Sequence, residues 1–249
     1  MLAPGLVLYL GTGASAARHV HHAVQLVWLA EGELAVTLAT GTVKGRAAIV
    51  PARTPHAFAS PPGPLALLLV DAHGARGAAL DRRARSLVGE DIAYELATVD
   101  FPRTDLSLPE IEAWLRALFS ALGVGSTEVE APSRTTRRAI AYIERTIDGV
   151  PRLTDAAAFA STSPSRLSHR FTSEIGIPFR RFVLWTRMKR AVEAMRGGGD
   201  LTAAAAAAGF SDAAHLSRTF KAMFGLSPSL VLPFVEVTGR PWQQRSSAP

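Results

Sequence analysis

Arg218 and Lys221 sit three residues apart in the stretch LTAAAAAAGFSDAAHLSRTFKAMFGLSP, residues 201–228. Leu216, Phe220 and Phe224 recur there at every fourth position, which at about 100° per residue makes an apolar helical seam. Ala214, Arg218 and Lys221 fall on the opposite side. A guanidinium can donate two parallel hydrogen bonds to a planar acceptor pair, and an ammonium offers a point charge to a phosphate. Ser211 stands where an N-cap belongs, with Asp212 and His215 in the turn that follows. Free backbone N–H groups at such a turn favour anions.

Residues 163–172 carry a second set of the same kind. Ser163-Pro164 reads as an N-cap with Pro at the first helical position. Leu167 and Phe171 point inward; Ser165, His169 and Thr172 point out, with Arg166 and Ser168 at the flanks.

A third set is imidazole-rich. His19, His21 and His22 precede Gln25, and His56 follows the block Gly45 to Pro55. Neutral imidazoles bind transition metals, hydrogen-bond within a pocket, or touch an organic effector. No metal is assigned to His19, His21 and His56. His21, Gln25 and His56 are taken instead as effector-contacting residues.

The elements that must position these groups follow from pattern and punctuation. Leu201–Ala208 is nearly pure alanine, the best helix former, and Gly209 permits a sharp turn into the next helix. Leu153–Ala160, the turn Ser161-Thr162 and the helix after Ser163 repeat that plan. LSHRFTSEIGIPF aligns with LSRTFKAMFGLSP, pairing Leu167 with Leu216, Phe171 with Phe220 and Gly176 with Gly225. Between the two units, residues 179–195 form a long amphipathic helix ended by Gly197 to Asp200. Ahead of them, residues 137–147 form a helix with Ile140, Ile143 and Ile147 on one face.

Residues 6–70 read as short strands broken by Gly and Pro, among them 24–29, 33–38, 47–50 and 65–70. Residues 78–88 form a basic amphipathic helix. Ser107-Leu108-Pro109-Glu110 opens another, whose apolar set Ile111, Trp114, Leu115, Leu118, Phe119 and Leu122 packs on its own domain or forms a homodimer through residues 107–122. Residues 126–133 have linker composition. The reading is therefore α+β in two domains, 1–125 and 134–249.

Charge divides at the same place. Residues 1–133 hold 10 Lys and Arg against 13 Asp and Glu, a net −3; residues 134–249 hold 17 against 8, a net +9. The basic half is the one suited to a phosphate backbone. The absence of cysteine excludes disulfides and thiolate metal sites. No run is long enough to cross a bilayer and MLAPGLVLYLG lacks a basic leader region, so a soluble, cytoplasmic protein without membrane contact is expected.

Residues 134–235 resemble the double helix-turn-helix domain of the AraC/XylS family of bacterial transcription regulators, most specifically through GFSDAAHLSRTFKAMFGLSP. The HVHHAVQ and GRAAIVPARTPH blocks resemble the two motifs of the cupin barrel, the usual companion domain. The resemblance implies a small cupin-like β-barrel with flanking helices, then an all-α double helix-turn-helix domain. It implies a sequence-specific activator or repressor whose N-terminal domain senses a small molecule or mediates dimerisation, with RNA polymerase as a partner; the reading taken is an effector-responsive activator that reads two successive major grooves of double-stranded DNA. The DNA-facing residues would be Ser163, Ser165, Arg166, Ser168, His169 and Thr172 in the first unit. In the second they would be Ser211, Asp212, Ala214, His215, Arg218 and Lys221. No cofactor and no catalytic residue are expected. The alternative is a cupin-type metal-dependent enzyme fused to a helical domain. Ala156 and Ala204 replace larger aliphatic anchors of the family, Ser161-Thr162 replaces a Gly-apolar pair, and Leu230-Val231-Leu232 lacks the usual basic residue.

Overall fold

A computed structural model describes residues 2–3, 5–13, 15–73, 75–103, 105–125, 132–196, 199–224 and 228. The expected linker therefore lies mostly outside the described residues, as do residues 229–249.

Nine antiparallel strands come first among the described residues. Five of them form one sheet in the order β1 (Leu2–Ala3), β2 (Leu6–Thr12), β9 (Pro64–Asp71), β4 (Ala23–Leu29), β7 (Ala47–Val50). Four form a second sheet in the order β3 (Ser15–His19), β8 (His56–Ala59), β5 (Leu34–Leu38), β6 (Gly41–Gly45). The N-terminal domain is thus two sheets packed face to face.

All seven residues of β4 are buried, because both faces of its sheet are covered. Val24, Leu26 and Trp28 face α1 (Ala75–Leu87) and α2 (Leu108–Ala121), where they join Leu80, Trp114, Leu115, Leu118 and Phe119. Val27 and Leu29 face inward with Val36 and Phe58 of the other sheet. By the same alternation Gln25 faces inward too. Further along that face Ala23 meets the core of the helical domain. The apolar stripe of α2 is spent on its own domain, which is the first of the two readings offered above for residues 107–122. The Ser107 capping box with Glu110 starts that helix.

The helical domain holds α3 (Arg134–Thr146), α4 (Leu153–Phe159), α5 (Pro164–Ile175), α6 (Phe179–Arg196), α7 (Leu201–Ala207) and α8 (Ala213–Phe224). Ile140, Ile143, Leu167, Phe171, Leu216 and Phe220 meet in one core with Phe179, Phe182, Trp185 and Met188 of α6. Ala156 and Ala204 are fully buried there, so these small side chains let α4 and α7 sit close to their neighbours.

The two domains share that core. Val7, Ala23 and Leu69 enter it from the five-stranded sheet. Asp71, 2% exposed at the end of β9, accepts from Arg181 Nε at 2.9 Å and from Trp185 Nε1 at 2.9 Å, both on α6. The His22 backbone N–H donates to the Ala222 carbonyl of α8 at 3.2 Å.

Candidate nucleic-acid interface and the histidine cluster

Each helix-turn-helix unit needs one residue in the left-handed backbone region between its helices. In the second unit this is Gly209, at φ 74°; in the first it is Ser161, at φ 55°. A non-glycine residue there is strained, so the Gly-to-Ser departure seen in the sequence has a local cost. The turns also differ in length. Ser163 caps α5, accepting from the Arg166 N–H at 3.3 Å. In the second unit the cap is Asp212, not Ser211 as the sequence suggested: Asp212 Oδ1 accepts from the His215 N–H at 2.6 Å. The Asp carboxylate reaches the N–H three residues on, and Ser211 supports it from outside the helix. Ser211 Oγ donates to Asp212 Oδ2 at 3.0 Å and lies 3.1 Å from His215 Nδ1. The backbone N–H of His215 and the Ser211 hydroxyl hold the Asp212 carboxyl below its ordinary value.

Leu167 and Phe171 on α5, and Leu216 and Phe220 on α8, are buried as their spacing required. Met223 completes the inner row of α8, while the Phe224 side chain lies outside the described residues. On α5 the exposed residues include Ser165, Arg166, His169 and Arg170; Ser168 and Thr172 are half-buried. Thr172 Oγ1 is turned back onto the Ser168 carbonyl at 2.9 Å. On α8 Ala214, Arg218 and Lys221 are exposed and His215 is half-buried against the Phe210 ring. Arg170 was missed by the sequence reading, although its place one turn after Arg166 puts it on the same outer face.

In the two-sheet domain, His19 on β3 and His56 on β8 are register partners across a bulge. His21 follows in the turn to β4. Ring centroids lie 4.3 Å apart for His19 and His56 and 5.1 Å for His21 and His56. The Gln25 side-chain oxygen lies 3.0 Å from His21 Nε2 and 3.3 Å from His56 Nε2. Burial, ahead of the neighbouring groups, pushes His56 down to about 4 and His21 below its ordinary value. Both rings are neutral at pH 7. The structure therefore brings His21, Gln25 and His56 together, with His19 beside them, at the inward-facing end of the sheets nearest the helical domain.

Two helix-turn-helix units joined by one long helix, each with a capped and exposed leading turn, define a DNA-binding regulator of two domains. Residues 156–232 match the family model of the helix-turn-helix domain. The chain is similar to ToxT from Vibrio cholerae, at 13% identity over 93% of this chain and 98% of that one, TM-score 0.46. It is similar over its helical part to the C-terminal domain of AraT, a response regulator from Geobacillus stearothermophilus, at 26% identity over 44% and 92%, TM-score 0.39. A DNA-binding transcriptional dual regulator from Escherichia coli K-12 matches at 19% identity over 43% and 96%, TM-score 0.37. Residues 156–232 are thus a helix-turn-helix domain, and they include both units from Ala156 of α4 to α8. No helix among the described residues is long and apolar enough to cross a membrane.

Proposed function

We propose that the chain is an effector-responsive transcription activator of the cytoplasm that reads two successive major grooves with α5 and α8. The observation that carries this is the duplicated leading turn: two capped helix N-termini, each followed by exposed polar and basic side chains on a face with no apolar load. Ser163, Ser165, Arg166, Ser168, His169 and Thr172 serve the first groove; Ser211, Asp212, Ala214, His215, Arg218 and Lys221 serve the second. Ser163 and Asp212 act by holding the leading turns, since their side chains are committed to capping. Grooves on one face of a duplex recur about every 34 Å, and α6 sets the separation of the two units.

The effector site on this reading is the cluster of His21, Gln25 and His56. It lies on the same inward face as Ala23, which touches the helical core, so a ligand there is positioned to alter the domain contact. A homodimer through residues 107–122 would use the outer face of α2, where Glu110, Ala113, Arg116, Ala117 and Ser120 are exposed. RNA polymerase is the partner an activator requires. The enzyme reading gains nothing from Asp71, the buried carboxylate at the end of β9, because its oxygens are taken up by Arg181, Trp185 and His73.

The test is binding of the full chain to genomic DNA fragments across a salt series. Specific binding with log K falling linearly in log salt supports the proposal. Salt-independent binding, or none, refutes it.

A further inference from the structure

The two reading helices are tied to each other by more than the length of α6. A helix leaves the carbonyls of its last turn without partners inside the helix, and its dipole favours cations there. At the end of α3 two arginines of α6 fill that role. Arg190 Nη2 donates to the Glu144 carbonyl at 3.2 Å, and its Nη1 donates to Asp148 Oδ1 at 2.6 Å. Arg187, one turn earlier, donates from Nη2 to the Gly149 carbonyl at 2.7 Å.

Arg187 differs from Arg190 in what the rest of its head group touches. Arg190 has the Asp148 carboxylate; Arg187 has no carboxylate partner among the described residues, and its Nε is enclosed without a hydrogen-bond partner. Burial holds the Arg187 guanidinium below its ordinary value. A desolvated cation with so few partners costs stability, and such costs are kept where position matters. What lies against it is the elbow of the second helix-turn-helix unit. At Gly209 a Cβ would come 2.7 Å from the Ile147 carbonyl oxygen, 3.3 Å from Arg187 Nε and 3.6 Å from Arg187 Cζ. The absence of a side chain at Gly209 therefore lets the α7–α8 elbow rest directly on the end of α3 and on the guanidinium.

This joint bridges the two units. α3 packs on α4 and α5, the helices of the first unit, while α7 packs on α6 and α8 on α7. The sequence joins α6 to α7 through Gly197-Gly198-Gly199, residues that bring no side chain to fix an angle between the helices. Gly209 is thus a point at which the second unit meets the scaffold of the first, and Arg187 grips both sides of it. We propose that Arg187 is a positioning residue for DNA reading: it holds the α7–α8 elbow against the end of α3, fixes α8 relative to α5, and so sets the spacing between the two blocks of the DNA site. The proposal rests on the reading that α5 and α8 enter successive grooves. One base pair of spacer moves a block about 3.4 Å along the duplex and roughly 35° around it, so a fixed pair of helices rejects the wrong spacing.

The experiment uses the full chain and the two-block site selected by the wild-type protein, with the spacer lengthened or shortened by one and two base pairs, and each block alone at low salt. The variants are Arg187→Lys, which keeps the charge and loses the planar fork, and Arg187→Met, which loses both. Lys189→Ala, at a neighbouring cation paired only with Glu193, is the control. Wild type and Lys189→Ala should lose about tenfold or more in affinity for one base pair of altered spacing, the scale of one mismatched pair. Both Arg187 variants should bind all spacings alike, and each single block as wild type does. Without DNA, hydrogen exchange at the amides of Gly149, Gly209 and Phe210 should quicken in both variants while the strands keep their protection; circular dichroism verifies that each is folded. Wild-type spacing preference in folded Arg187→Lys protein overturns the proposal. So does single-block binding that falls in Arg187→Met and returns in Arg187→Lys, which would make Arg187 a phosphate contact. If the wild-type chain selects no two-block site, the two-groove reading fails, and unchanged exchange at the three amides in the variants overturns the joint itself.

Discussion

Asp71→Asn tests how firmly the two domains are joined. The Asp71 side chain has no exposure, and that of its partner Arg181 is 18% exposed. Both Arg181 Nε and the Trp185 indole N–H end on Asp71 Oδ2, while the His73 backbone N–H takes Oδ1 at 3.0 Å. Removing one member of a buried ion pair costs about 3–5 kcal/mol because the other charge stays uncompensated. Asn keeps the shape and one acceptor, and Arg181 retains some water, so the expected loss is about 2–4 kcal/mol. Urea unfolding at pH 7, followed by tryptophan fluorescence, reads it. Burial alone would raise the Asp71 carboxyl, but Arg181, Trp185 and the His73 N–H outweigh burial and hold it below its ordinary 3.8. A group with a depressed folded pKa stabilises fully above its unfolded value, and that stability is lost as pH falls through the folded one. The wild-type protein should therefore lose stability below about pH 4 more steeply than the variant. An Asp71→Asn protein within about 0.5 kcal/mol of wild type, or with the same acid dependence, would refute the argument.

Arg218→Ala should cost about 1–3 kcal/mol of specific binding and relax preference at one base pair, measured by anisotropy on a panel of single-base variants of the site. Lys221→Ala should weaken all sequences alike and lower the salt slope by about one unit. Both positions are exposed, so thermal unfolding should show stability within about 0.5 kcal/mol of wild type. Ser161→Gly should stabilise the chain by about 0.5–1 kcal/mol in urea, because Gly holds φ 55° without strain. Destabilisation there would mean that the Ser161 side chain contributes more than its backbone costs.

Much of the helical domain was legible because its signals are local. Leu167, Phe171, Leu216 and Phe220 recur with the helical period in both units, and Ser163-Pro164 announces the helix start in the first. The one-residue error at Ser211 came from a run of two capping residues, Ser211-Asp212, between which composition cannot choose. Strands β4 and β9 were visible as apolar runs, whereas β3 and β6, with exposed alternate residues, were not. The histidines could be grouped from spacing, but their tautomers depend on the carbonyls of Ala17, Ala23 and Thr54, which only the folded backbone supplies. Asp71 and Arg181 are 110 positions apart, and nothing in the chain between them marks their pairing.

The central claim is that the exposed leading faces of α5 and α8 read DNA sequence together. It is tested most directly by sequencing the genomic fragments that the purified full chain selects, beside those selected by an Arg218→Ala, Arg166→Ala double variant. The account predicts an enriched site with two conserved blocks about one helical turn, roughly 10 base pairs, apart, and loss of both blocks in the variant. Random fragments from the wild-type chain, or the same two-block site from the double variant, would contradict it.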